Sequence, residues 1–123
     1  MSVTHFFAGA SFLIDTTAEG ITTDLRGHGT HVAGIAASKT YGVAKKAKIF
    51  SVKGLDSSGY GVISEALEAI AFVVNDVQDR QADGTCPNGF VANLSWGGLQ
   101  SNALNTAVSN CSHDQEISSL TIG

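Results

Sequence analysis

Residues Arg26–Gly34 read Arg-Gly-His-Gly-Thr-His-Val-Ala-Gly, which sets an imidazole between two glycines at what the pattern marks as a helix start. Glycine has no side chain to shield its neighbour, so another chain can approach His28 closely. A helix start carries partial positive charge, which disfavours the imidazolium form. A neutral, accessible imidazole is a general base, and that is the chemistry this spacing suggests first. The same residues also suit a Gly-rich turn carrying a surface histidine. His28 and His31 fall on neighbouring positions of one helix, but with no nearby Glu or Cys they make a weak metal pair, and neither a metal nor a cofactor is expected.

A site of this kind needs a scaffold, and the chain has the length for one modest core. Its 123 residues are 43% hydrophobic. No apolar run approaches the roughly 18 residues of a membrane span, so no membrane partner is expected. The net charge is −4, and Lys39, Lys45, Lys46, Lys48 and Lys53 are scattered without a dense basic patch, which argues against nucleic acid as a partner. Met1–Ala10 shows no positive region followed by an apolar core, so no secretory signal is visible in this chain.

Strand patterns alternate with helix patterns, which predicts an α/β fold of three layers, α/β/α, around a mainly parallel sheet with right-handed crossovers. His28–Ser38 reads as a small-residue helix buried against that sheet. Lys48–Leu55, with Ile49, Phe50, Val52 and Leu55, reads as a central strand. Ser64 is placed to cap a helix over Glu65–Arg80, where Leu67, Ile70, Ala71, Val74 and Val77 recur at three- and four-residue steps and Glu65 and Glu68 lie near the positive end. Gln81–Asn88 is a polar loop, Gly89–Ser95 the next strand and Asn102–Ser109 a short helix. Cys111–Glu116 is too polar for a central strand, and Ile117–Gly123 looks again like a short strand.

The histidine segment resembles the active-site histidine motif of subtilisin-like serine peptidases (peptidase S8), nearest to the proteinase K branch. From Thr4 to about Asn110 further features follow in the family's order: His5 and Phe6 in a loop, Tyr41-Gly42-Val43-Ala44, the strand Ile49–Leu55, and Asp56-Ser57-Ser58-Gly59-Tyr60-Gly61. Cys86-Pro87-Asn88-Gly89 and Asn93-Leu94-Ser95-Trp96-Gly97-Gly98 complete the series. The resemblance thus makes residues 1–123 part of a catalytic domain, matched over about 4–110 with a divergent tail at 111–123. It implies that His28 is the catalytic base. Gly59, Tyr60 and Gly61 would form an exposed edge that pairs with an extended peptide, Tyr60 flanking a side-chain pocket. Ser95, Trp96 and Gly97, with Gly98, would form the other side of the cleft, with Trp96 standing where a leucine-like residue is usual. Without the resemblance, both stretches read as glycine-containing turns with one aromatic each. The family also implies an extracellular protein whose partner is an extended peptide or protein substrate, a propeptide or an inhibitor.

The family mechanism is acyl transfer, in which a serine attacks the peptide carbonyl while the histidine takes its proton and returns it to the leaving amine. The family's catalytic aspartate falls in an Asp-Thr-Gly segment ahead of the residues matching Ser2–His5. Its nucleophile falls in Gly-Thr-Ser-Met-Ala and its oxyanion asparagine in Ala-Ala-Gly-Asn, both beyond the matched region. None of these patterns occurs in this chain, and Ser11 reads as an ordinary loop or strand serine. Loss of the aspartate alone costs about 10⁴ in kcat, and loss of an oxyanion donor about 10²–10³. The expectation is a truncated chain that is not a competent peptidase. The alternative is a non-catalytic pseudopeptidase that binds a peptide or propeptide.

The chain has two cysteines, Cys86 and Cys111. The resemblance implies that Cys86 pairs with a cysteine upstream of the catalytic aspartate, in sequence this chain does not have. A Cys86–Cys111 bridge would need Cα atoms within about 7 Å, and two free thiols are the expectation.

Overall fold

The periodic segments close into one sheet with helices on both faces, in a computed structural model that describes residues 2–7, 12–15, 23–84, 90–98, 100–114 and 117–121. In chain order the elements are β1 (Ser2–Phe7), β2 (Phe12–Asp15), α1 (His28–Ala37), β3 (Lys48–Lys53), α2 (Ile63–Ala82), β4 (Phe90–Leu94), α3 (Asn102–Asp114) and β5 (Ile117–Thr121). The five strands lie in the order β2-β3-β1-β4-β5. β2 is parallel to β3 and β4 to β5, while β1 runs antiparallel to both β3 and β4. Four strands therefore share one direction around a reversed central strand, the mainly parallel α/β sheet expected.

That central strand is a correction. His5 and Phe6, expected in a loop, lie in β1, where His5 pairs with Phe50 on one side and Ala92 on the other. Ser2–Phe7 contains a β-branched and aromatic run that suits a pleated surface, and the gap between two parallel strands offers hydrogen-bonding groups on both edges. β3, expected at the centre, lies one place to the side.

The core sits between the sheet and the α2–α3 layer. Alternation along β3 and β4 turns Phe50, Val52, Phe90, Ala92 and Leu94 inward, and α2 closes on them with Ala69, Ile70, Val73 and Val77. Leu67 and Val74 are half-buried and Ala71 is exposed, so the expected helical stripe is rotated toward the sheet. Those flanking residues line a cavity of about 510 Å³ shared with Ala107, Asn110 and Cys111 of α3. Arg80 donates from Nε to Asp76 Oδ2 at 2.7 Å and lays its guanidinium 4.2 Å from the Phe50 ring centroid, closing the end of this core.

Helix ends follow local chemistry, with two departures from expectation. Val62, not Ser64, holds the cap position of α2; its N–H donates to the Glu65 carboxylate at 3.4 Å and its carbonyl accepts from Ala66 N–H at 3.2 Å. α3 begins where Ser101 Oγ accepts from Leu104 N–H at 3.3 Å, and it runs on to Asp114, beyond the expected end at Ser109. The helix can continue past Val108 because Leu104, Ala107, Val108 and Cys111 form one stripe at helical spacing against the core, while Ser109 and Asn110 between them stay exposed. Cys111 is buried and free of any disulfide. Cys86 and Ser11 lie outside the described residues, as do Gly89 and most of the loop after Gly84. The strand expected over Ile117–Gly123 is β5, described as Ile117–Thr121.

α1 rests on β1 and β3 across the other face of the sheet. It is not buried as expected: within it Gly29 alone is fully covered, and Ile35 remains 57% exposed. Small residues allow a close approach but bring little apolar area to hold it.

Candidate active-site cleft

The directions of the strands decide where the candidate residues gather. β3 and β4 run the same way, so Gly59–Gly61, beyond the end of β3, and Ser95–Gly97, beyond the end of β4, emerge at one end of the sheet with β1 between them. In open α/β sheets this carboxyl end is where ligands bind.

His28 is the first residue of α1 and is exposed. Gly27 before it has φ +82°, a left-handed turn that L side chains rarely adopt, and its carbonyl accepts from His31 N–H at 3.0 Å. Because Gly27 has no side chain to cap the helix, the cap comes from Asp24. One of its carboxylate oxygens accepts from Gly27 N–H at 2.8 Å, and the other from Thr30 N–H at 2.8 Å and Thr30 Oγ at 2.7 Å. Partial burial works against the charge on Asp24, yet these bonds, led by that from the Thr30 hydroxyl, bring its pKa down to about 2. A carboxylate at a helix N-terminus also complements the helix dipole. Asp24 was not singled out from the sequence, although an acidic residue just before a helix start is a usable signal.

The far end of α1 is closed by the segment that follows it. Ser38, Val43 and Ala44 donate their N–H groups to Gly34, Ile35 and Ala36, and Lys45 Nζ donates to the carbonyls of Thr40 and Gly42, each at 2.8 Å. Tyr41-Gly42-Val43-Ala44 is therefore the clasp that satisfies the helix's last carbonyls.

The loop after β3 is built around Asp56. Its Oδ1 accepts from Ser58 N–H at 2.9 Å, Ser58 Oγ at 2.6 Å and Tyr60 N–H at 2.9 Å, while its own N–H donates to the Tyr60 carbonyl at 2.7 Å. The Ser58 hydroxyl first, then the Tyr60 N–H, hold the Asp56 carboxyl below its ordinary range. The turn closes through Gly59, whose φ of +86° favours glycine, and leaves Tyr60 76% exposed. A Cβ on Gly59 would meet Arg26 Nε at 3.3 Å and Arg26 Cδ and Cγ at 3.8 Å. The residue two before His28 thus lies across the turn expected to hold peptide, and it joins the two segments in space.

Ser95 Oγ donates to Asn93 Oδ1 at 2.5 Å and Trp96 N–H donates to the Leu94 carbonyl at 2.8 Å, which turns the chain sharply out of β4. Trp96 is half-buried and packs on the core, whereas Gly97 and Gly98 are exposed. Trp96, Gly97 and Gly98 line a cavity of about 440 Å³ with Ser101 and with Leu104 and Val108 of α3. Among the described residues no three or more His, Cys, Asp and Glu side chains gather into a metal-holding group, His28 and His31 included. Among them, too, no helix is long and apolar enough to cross a membrane.

Known proteins resemble this chain in sequence and in fold. Residues 14–122 match the model of the subtilase family, peptidase S8. Proteinase T of Parengyodontium album is 44% identical over 104 residues, which are 85% of this chain and 34% of that protein. The subtilisin-like serine protease AsES of Sarocladium strictum is 46% identical over 101 residues, 82% of this chain and 25% of that protein. The crystal structure of a cold adapted subtilisin-like serine proteinase superposes with a TM-score of 0.74 at 34% identity, over 92% of this chain and 38% of that one. The chain spans about a third or less of the curated relatives it matches, and over that span it belongs to the subtilase family of serine peptidases.

Proposed function

We propose that this chain forms the histidine-bearing part of a subtilisin-like serine endopeptidase domain that acts outside the cell on extended peptide or protein substrates. The observation that supports this reading is that Arg26 Nε lies 3.3 Å from where a Cβ on Gly59 would stand, so the segment bearing His28 and the Gly59–Gly61 turn lie side by side. In this reading His28 is the general base, Gly59, Tyr60 and Gly61 receive the peptide backbone as an added strand, and Ser95, Trp96 and Gly97 bound the pocket beside the scissile bond. A general base without a nucleophile moves no acyl group. Because the chain contains no Gly-Thr-Ser-Met-Ala, Asp-Thr-Gly or Ala-Ala-Gly-Asn pattern, by itself it binds peptide and does not cut it.

Fluorophosphonate labelling and peptide binding test this together. No covalent adduct, with saturable binding of a fluorescent extended peptide, is the expected result. An adduct that disappears in His28→Ala would overturn the inactivity of the chain, and a failure to bind any peptide would overturn the cleft.

A further inference from the structure

The side chain of Arg26 lies along the rim of the proposed cleft, with no ion-pair partner among the described residues. Its stem crosses Gly59, with Nε 3.3 Å from where a side chain at that position would begin, and the residue as a whole is exposed. The nearest acids by sequence on the two joined segments bond to backbone N–H and hydroxyl groups and make no ion pair with Arg26. Asp24 uses both oxygens on Gly27 and Thr30, and Asp56 uses Oδ1 on Ser58 and Tyr60. Among the described residues no carboxylate pairs with Arg26; the ion pair they show is that of Arg80 with Asp76. On the two segments that meet there, Leu25 is 61%, Tyr60 76% and Val62 59% exposed, so the rim beside Arg26 is open to an incoming chain. A planar cation there, beside a backbone edge open to strand addition, suits a carboxylate on the incoming peptide.

We infer that Arg26 is a specificity-determining residue that selects an acidic side chain on a peptide lying along Gly59-Tyr60-Gly61. This rests on the cleft reading proposed above. Its Gly27 neighbour turns the chain so that Arg26 precedes the helix, and the selectivity therefore belongs to the turn and not to a face of α1.

The test uses fluorescent extended peptides that differ at one residue, Glu, Gln or Lys, moved one position at a time, with binding read by polarisation. At low ionic strength the Glu peptide binds about three- to five-fold tighter than its Gln isostere at one position, as a solvent-exposed ion pair permits. The preference fades at about 0.5 M salt. Arg26→Gln abolishes it and Arg26→Glu turns it toward Lys, both with an unchanged circular dichroism spectrum because the site is exposed. Equal binding of Glu and Gln peptides at every position would overturn the assignment of Arg26 and leave the cleft standing. A preference that survives high salt, or persists in Arg26→Gln, would overturn it as well. No binding by any peptide would overturn the cleft and Arg26 with it.

Discussion

The two faces of the sheet are held in opposite ways. On one, α2 and α3 bury a continuous apolar cluster in which Val52 and Val73 are 1% exposed and Ala69 and Val77 fully covered. On the other, α1 buries one glycine and leaves Ile35, Tyr41 and Val43 at 57%, 86% and 90% exposure. Burial holds the first face, and polar closure holds the second: Asp24 at the start of α1 and the 38–45 clasp at its end. The candidate base therefore sits on the face that depends on hydrogen bonds, where local opening costs least. The difference teaches that the candidate site of this chain is positioned by capping, and its scaffold by packing.

Substitutions can break or sharpen that contrast. Phe50→Ala removes the ring that fills the core beneath Arg80 and is expected to cost about 3–5 kcal/mol, measured by urea unfolding. A loss under about 1 kcal/mol would show that the α2 face is not the stabilising one. Cys111, on that same face, has its thiol pKa pushed up by burial, so alkylation in the folded chain should run at least about a hundredfold slower than in denaturant, read by peptide mass mapping.

On the α1 face the effects are smaller and of another kind. Asp24→Asn should cost about 1 kcal/mol at neutral pH, after the screening expected of a largely solvent-facing group. The sign with pH follows from a folded pKa of about 2 against an ordinary 3.8. The Asp24 contribution is complete above about pH 4 and is lost as pH falls toward 2, so the parent should lose more stability than Asp24→Asn across that window. Equal acid slopes for the two proteins would remove Asp24 from the capping role. Ile35→Ala should change stability by no more than about 0.5 kcal/mol, since little area is lost and alanine favours helix; a larger cost would mean that α1 packs more than its exposure indicates.

Much of this was legible in residue order alone. The period of α2, the apolar alternation of β3 and β4 and the glycine-flanked histidine at a helix start are local patterns, each fixed by covalent geometry and burial within one segment. The polar tail misled for the same reason, because Cys111 completes the α3 stripe only when Leu104, Ala107 and Val108 are counted with it. Ser64 was a sound cap candidate by type, yet the chain enters α2 two residues earlier, through Val62.

What belongs to the sequence, then, is the identity of α1, α2, α3, β3, β4 and β5 and the glycine-flanked setting of His28, because periodicity and turn chemistry act over a few residues. What belongs to the tertiary structure is β1 reversed at the centre of the sheet, Asp24 on Thr30, and Arg26 across Gly59. Strand order and the meeting of separate loops depend on hydrogen bonds and contacts between residues far apart in the chain, and no local pattern encodes which distant partner will arrive.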